Sequence, residues 1–411
     1  MSTPDTAFEE APPYGIPLER DHPFDPPAAV MELHRGAEMR RMRYYPEGRL
    51  GWLVTSHRLA RKVLADTRFS STLGGPAQVP IPMPGLEGYL DFEGDFPMTP
   101  GMFIEMDPPD HTRLRRKLTG VFTVKRMKAL EPRIAEHVED RLDALAAGTR
   151  PADLVREFAV PVPSMMICEL LGVPYDQRER FEADSRAIFT TDETGAGKEA
   201  AIGRLFGFVG ELVAAKRRAP TDDLLSDLAA DTELADEEVA GMAILLLVAG
   251  HETTAKMLGL GTMALLENRD QWDLLRERPE LIAGGVEELL RYLTIIHTGL
   301  IRQAKTDFEF EGHQIKAREY VTVSVQTANR DEAHFIEPGK LDVTGDAKGH
   351  LTFGHGVHQC LGQQLARMEM RIAFSRLIAR FPGLRLAVPA DEVPLVTGQS
   401  FYGVAELPVT W

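Results

Sequence analysis

The stretch that most constrains this chain is Phe353-Gly354-His355-Gly356-Val357-His358-Gln359-Cys360-Leu361-Gly362. It sets a single cysteine in a glycine-rich turn, with an aromatic upstream and a helical pattern downstream. Gly354, Gly356 and Gly362 permit close backbone approach and positive φ, so amide N–H groups can converge on the Cys360 sulfur and stabilise its thiolate. A stabilised thiolate is a metal ligand. From Gln364 the spacing of Leu365, Met368, Ile372 and Phe374 predicts a helix packed beneath whatever Cys360 binds. A lone cysteine can also be a small buried apolar residue. Three glycines and two histidines within these ten residues favour the ligand.

A ligand site of this kind needs an interior, and 411 residues that are 44% hydrophobic can supply one. No linker or compositional break divides the chain, so one domain over 1–411 is expected, with 1–20 as a flexible N-terminal lead. The net charge of −16, with no Lys/Arg excess to offset it, argues against nucleic acid or an anionic membrane as partner. Met1 to Pro13 is polar and acidic, unlike a signal peptide or anchor, and the longest apolar run, Met242 to Ala249, is well short of the ~18 residues of a span. Cys168 lies in the apolar Met165–Leu171 stretch and is expected in the core; with Cys360 it is too little for a disulfide framework. A soluble cytoplasmic monomer is the expectation.

Periodicity predicts helices at 28–39, 58–64, 131–147, 158–171, 177–189, 200–217, 222–228 and 235–266. Short strands are predicted at 52–55, 308–310, 320–325, 384–388 and 407–411, and a mostly apolar one at 295–302. The fold class is mainly α, a helix-rich domain with small β-sheets appended. Ser70 to Gly101 is a long irregular segment whose Met83, Leu86 and Leu90 give it an apolar side.

Within the 235–266 helix stands Ala249-Gly250-His251-Glu252-Thr253-Thr254, flanked on both sides by apolar residues and so interior. A threonine hydroxyl can bond the carbonyl four residues back, and a glycine lets a helix widen locally beside a small ligand. The His-Glu-x-x-His zinc pattern fails, because Ala255 stands where the second histidine should be. His111 and Arg115, four apart on a helix opened by Asp107-Pro108-Pro109-Asp110, share a face that can hold carboxylates. Glu288 and Arg291, three apart among apolar neighbours, form a candidate buried pair.

The Cys360 segment resembles the heme-binding loop of the cytochrome P450 family, the heme-thiolate monooxygenases, whose pattern is Phe-Gly-x-Gly-x-(His/Arg)-x-Cys-x-Gly; every fixed position is filled. The resemblance extends from Trp52 to the terminal strands. It implies a cofactor, heme b (iron protoporphyrin IX), buried between two central helices with Cys360 as the iron ligand, Phe353 beside the thiolate and Gly362 within the loop. It implies that His111, Arg115, Arg302 and His358 hold the heme propionates. Ala249-Gly250-His251-Glu252-Thr253-Thr254 resembles the family's oxygen-activating motif, which implies that Ala249 borders the heme, Thr253 hydrogen-bonds dioxygen and Glu252 passes protons through water. Met83, Leu86, Leu90, Leu245, Val248, Thr298 and Phe401 are the implied substrate contacts. Glu288 and Arg291 match the family's Glu-x-x-Arg brace, with Lys340 in place of its third member, an arginine, and Glu332 where proline is usual after Asn329-Arg330-Asp331.

The implied reaction inserts one oxygen atom from O2 into a C–H bond of a hydrophobic small molecule, a secondary metabolite, as in soluble actinomycete members. Ring closure, desaturation and peroxide-driven oxidation remain open for the same fold, as does a non-enzymatic heme role; a zinc site from His355, His358 and Cys360 lacks a fourth ligand nearby. No Gly-x-Gly-x-x-Gly follows a strand, so ferredoxin and ferredoxin reductase are the expected electron donors. Arg113, Arg116, Lys117, Lys125 and Arg126 form the densest basic group and the expected docking patch.

Overall fold

The computed structural model describes residues 12–75, 78–82, 99–189, 195–397 and 399–411. Met83, Leu86 and Leu90 lie outside the described residues. At its centre runs the Asp236–Glu267 helix, 32 residues long and buried on nearly every side. Apolar residues all round a helix give it no surface face, so it must be a core element. It begins with three acids, Asp236, Glu237 and Glu238, which oppose the positive end of the helix dipole. Glu238 also accepts the Ala235 N–H at 3.1 Å. Length and composition alone would let this helix cross a membrane, but 72% of its most apolar window is buried against the rest of the protein.

Around it pack the Pro161–Leu171, Gly195–Arg218, Ile282–Leu293 and Gln363–Arg380 helices, and the last of these also packs on Val124–Ala147. The helix expected at 235–266 thus appears almost to the residue. Helices expected at 131–147 and 200–217 begin earlier, at Val124 and Gly195. Thr123 caps the first of these by accepting the Arg126 N–H, so the basic run before Glu131 is drawn into the helix.

A five-stranded sheet stands at one side, in the order Met39–Tyr44, Arg49–Val54, Tyr320–Val323, Leu300–Ala304, Phe69–Ser70. The first of these strands corrects the expected 28–39 helix. That helix stops at Gly36, Ala37 is extended, and Met39 starts a strand paired antiparallel to Arg49–Val54. Met39 packs on one face of the sheet while Met42 and Tyr44 pack on the other, a division of apolar residues that a strand can make and a helix face cannot. The expected 295–302 strand begins only at Leu300, because Thr294 and Gly299 both have positive φ. Residues 12–20, within the expected flexible lead, are packed: Tyr14 bridges to Arg43, Ile16 is 3% exposed, and Arg20 bonds Gln326.

Candidate active site

Cys360 stands between the Gly356–His358 turn and the Gln363–Arg380 helix. Its N–H donates to the Phe353 carbonyl at 2.8 Å, which closes the loop. Gly354 and Gly356 have φ of 68° and 75°. At Gly356 a Cβ would stand 2.3 Å from the Leu64 carbonyl oxygen, so only glycine lets the loop lie against the His57–Ala65 helix. Gly362 differs from the expectation, since its φ of −79° suits any residue. Its contribution is its N–H, which with that of Gln363 is directed at the sulfur. Desolvation by the atoms packed around the sulfur pushes the Cys360 thiol up, while those two N–H groups and the Arg115 and Arg367 guanidiniums pull it down.

Four donor groups converge beside this loop. His111, on the Asp110–Thr119 helix, is 2% exposed, and neither of its ring nitrogens has a partner among the described residues. Its ring lies 4.2 Å from that of His358, centroid to centroid. Burial, then Arg302 and His111, hold His358 down at about 3. Arg302, on the Leu300–Ala304 strand, is held down at about 10 by burial, opposed only by Asp107. Its hydrogen bond is to the Ile301 carbonyl, at 2.7 Å. Arg115 donates to the Gln359 carbonyl. Asp107 is itself engaged by Ser70, Ser71 and Lys305. A cluster of one buried and three half-buried donors this short of anions fits the two carboxylates of a heme. Cys360 is accessible and a Cβ on Gly362 would meet nothing within 4 Å, which suits a flat group against the loop. Among the described residues no group of three His, Cys, Asp or Glu side chains forms a metal site, so the zinc alternative finds no geometry.

In the central helix His251 and Glu252 are buried, as expected of an interior cluster, while Ala249 is exposed and Thr253 intermediate on the face one turn apart. Thr253 Oγ1 donates to the Ala249 carbonyl at 2.9 Å. The helix does not widen there: it is α-helical throughout, and Gly250 instead makes room for Ile167, whose Cδ1 would be 2.9 Å from a Cβ. Glu252 lies between His251 and Lys256, at 3.8 and 3.6 Å. Lys256 was not singled out in the sequence; its signal is the four-residue spacing from Glu252.

Leu245 is 9% exposed and Val248 half-buried on this helix. The segment before Thr298 and the turn carrying Phe401 come together, since Ile296 bridges Phe401 and the Tyr402 N–H donates to the Ile295 carbonyl at 2.8 Å. Glu288 and Arg291 meet in a two-bond pair at 2.6 and 2.7 Å, both side chains 4% exposed. Breaking a buried pair of this kind costs about 3–5 kcal/mol. The Lys340 side chain takes no part: it is exposed, and Arg291 bonds the carbonyls of Pro338, Lys340 and Asn329 instead. A third cation would donate to Glu288, and the Asp342 N–H does so instead at 3.1 Å, while the carbonyls take up the N–H groups of Arg291 that Glu288 leaves over. Missed in the sequence was Glu287, which binds Arg367 and His350.

The basic group is largely neutralised by its own neighbours. Arg113 pairs with Glu238, Lys117 with Asp231 and Glu233, and Arg126 with Asp227. Among the described residues Arg116 and Lys125 alone of the five have no ion-pair partner.

A family model described as cytochrome P450 matches residues 276–396. Cytochrome P450-SU2 of Streptomyces griseolus is 43% identical over 99% of this chain and 100% of its own length. Pentalenic acid synthase of Streptomyces avermitilis is 42% identical, with both chains covered in full. The crystal structure of CYP105P1 in complex with filipin I superposes with a TM-score of 0.90 at 41% identity, covering 98% of this chain and 99% of that one. Likeness of sequence and backbone along nearly the whole of both partners, with the cysteine loop intact, leaves one conclusion: this chain belongs to the cytochrome P450 family, the heme-dependent monooxygenases.

Proposed function

We propose that the chain holds heme b through Cys360 and inserts one oxygen atom from O2 into a C–H bond of a hydrophobic small molecule, a secondary metabolite. Electrons come from ferredoxin and ferredoxin reductase. The observation that carries this reading is the anion-poor cluster of His111, Arg115, Arg302 and His358 beside the accessible Cys360. When bound, the heme iron supplies the chemistry of oxygen activation and C–H oxidation.

The protein's own residues do the rest. Cys360, once ionised, would hold the iron and supply it with electron density, and the N–H groups of Gly362 and Gln363 stabilise the charge on the sulfur. His111, Arg115, Arg302 and His358 orient the propionates. Thr253 presents a hydroxyl whose proton is lent to Ala249, leaving a lone pair free to accept from a water. Glu252 stands one residue earlier as the acid that can resupply a proton. Leu245, Val248, Thr298 and Phe401 line the substrate and keep water from it. Support for small-molecule substrates comes from the relatives, one named for making pentalenic acid and one seen with filipin I.

The test is reconstitution with iron protoporphyrin IX, then the reduced carbon monoxide spectrum of wild type and Cys360→Ser, and product analysis under labelled O2 with a ferredoxin pair. The thiolate-type band should appear in wild type and vanish in the variant. A variant that keeps both band and turnover would refute Cys360 as the ligand.

A further inference from the structure

Next to Thr298, one of the residues assigned above to the substrate wall, stands a side chain that the family reading does not use and that reaches the turn carrying Phe401. His297 is 1% exposed, and its Nε2 is hydrogen-bonded to the Gln399 carbonyl oxygen. A carbonyl oxygen only accepts, so Nε2 carries the proton and Nδ1, which has no partner among the described residues, carries the lone pair. Burial and the Arg20 cation outweigh the Gln399 bond and hold His297 down at about 4, so the ring is neutral at pH 7.

The residue is gripped at its backbone too. Its carbonyl accepts from Gln326 Nε2 at 3.3 Å, and Gln326 Oε1 accepts from Arg20 Nη2 at 3.1 Å. Arg20 in turn lies over the Tyr402 ring, its guanidinium carbon 4.0 Å from the centroid. Arg20, Gln326, His297, Gln399 and Tyr402 therefore form a circuit from the N-terminal stretch to the C-terminal turn.

The backbone contacts between 295–298 and 399–402 cluster at one end. Among the described residues these include the Tyr402 N–H to Ile295 bond and the Ile296–Phe401 bridge, on adjacent residues. A turn fastened at adjacent positions can pivot about them. A third attachment at Gln399, on the other side of Phe401, removes that freedom.

We propose that His297 is a positioning residue for substrate selectivity: its Nε2–H pins Gln399 and thereby sets the gap between Thr298 and Phe401. This rests on the reading of Thr298 and Phe401 as pocket wall.

The test compares His297→Phe, which keeps a ring but leaves the Gln399 carbonyl unpaired, with His297→Gln, whose amide nitrogen reaches the place of Nε2. Two quantities are read on the heme-loaded protein: hydrogen-exchange protection of the Tyr402 amide without substrate, and spectral dissociation constants for a ligand series graded in size. In His297→Phe, protection should fall by about tenfold and the ratio of largest to smallest ligand affinity should shift by about fivefold or more, since the half-buried Gln399 carbonyl loses its His297 donor. His297→Gln should stay within about twofold of wild type on both. Unchanged Tyr402 protection in His297→Phe would overturn the pin. Lost protection with unchanged ligand ratios would overturn the selectivity role and place the fault with the wall assignment. If His297→Phe yields no thiolate-type carbon monoxide band, His297→Asn, whose amide ends near Nδ1, replaces it. Equal ligand ratios in the Asn and Gln variants would then overturn the proposal.

Discussion

Arg367 lies over the Phe353 ring, its guanidinium carbon 4.4 Å from the centroid, while Glu287 grips the same guanidinium with both oxygens at 2.7 and 2.9 Å. The helix after Cys360 thus reaches back to the aromatic before it, and a third element locks the two together. The loop is braced from outside, independently of what its cysteine binds.

That brace predicts an acid-sensitive stability. Burial pushes the Glu287 carboxyl up, but hydrogen bonds from His350 and Arg367 outweigh it and hold it at about 2. An unfolded glutamate titrates near ~4.3, so the ionised carboxylate favours the folded state above that pH, and the advantage disappears as pH falls toward 2. The side chain is 32% exposed, which screens the contribution to about 1–2 kcal/mol. Glu287→Gln should lower the urea midpoint at pH 7, with the two proteins converging as the pH is taken below 4. Equal midpoints at pH 7 would remove Glu287 from the brace.

Arg302→Met should act with opposite signs on two quantities. Arg302 is a half-buried, desolvated cation bonded to its neighbour's carbonyl. Replacing it by an apolar side chain should make heme-depleted protein more stable, by about 1 kcal/mol or more. Heme affinity should fall by about 10- to 100-fold, the worth of a charged hydrogen bond. Thermal melts of the depleted protein and heme transfer to apomyoglobin measure the two. A variant that loses stability without heme would mean that Arg302 is already satisfied by the protein.

Thr253→Ala should separate electron use from product. The hydroxyl that now donates to the Ala249 carbonyl is removed. Substrate dissociation constants should change by less than about twofold, while the share of electrons recovered as product should fall by about tenfold and hydrogen peroxide should rise to match. Thr253→Ser should restore coupling. Full coupling in the alanine variant would take Thr253 out of proton handling.

For the electron donor, the internal ion pairs redirect the choice of residues. Arg113 and Lys117 are tied to Glu238, Asp231 and Glu233, so their charge is largely cancelled at a distance. Arg116→Glu with Lys125→Glu should slow reduction by an acidic ferredoxin by about tenfold at low ionic strength and much less at 0.5 M salt. Arg113→Glu should mainly destabilise, by facing Glu238. Stopped-flow reduction across a salt series decides, and identical rates in the double variant would put docking elsewhere.

By itself the sequence determined the cysteine loop, the long central helix and the helical class, because each is written in local spacing: Phe353 to Gly362 is contiguous, and apolar residues recur on every side from Val239 to Leu266. Its motifs let the sequence propose which residues stand near the reacting centre. What it could not determine was pairing at a distance. Arg113 and Glu238 are 125 residues apart, and the cancellation that thins the basic patch exists only after the helices pack. Met39 joins a strand because Val54 lies beside it across a turn, an interaction that no helix periodicity encodes. Glu288 found the Asp342 N–H where a cation was expected, Arg291 found the carbonyls of Pro338 and Lys340, and His297 found Gln399 102 residues on. Hydrogen bonds and ion pairs need their partners within about 3–4 Å, and which groups come that close is decided by the tertiary packing.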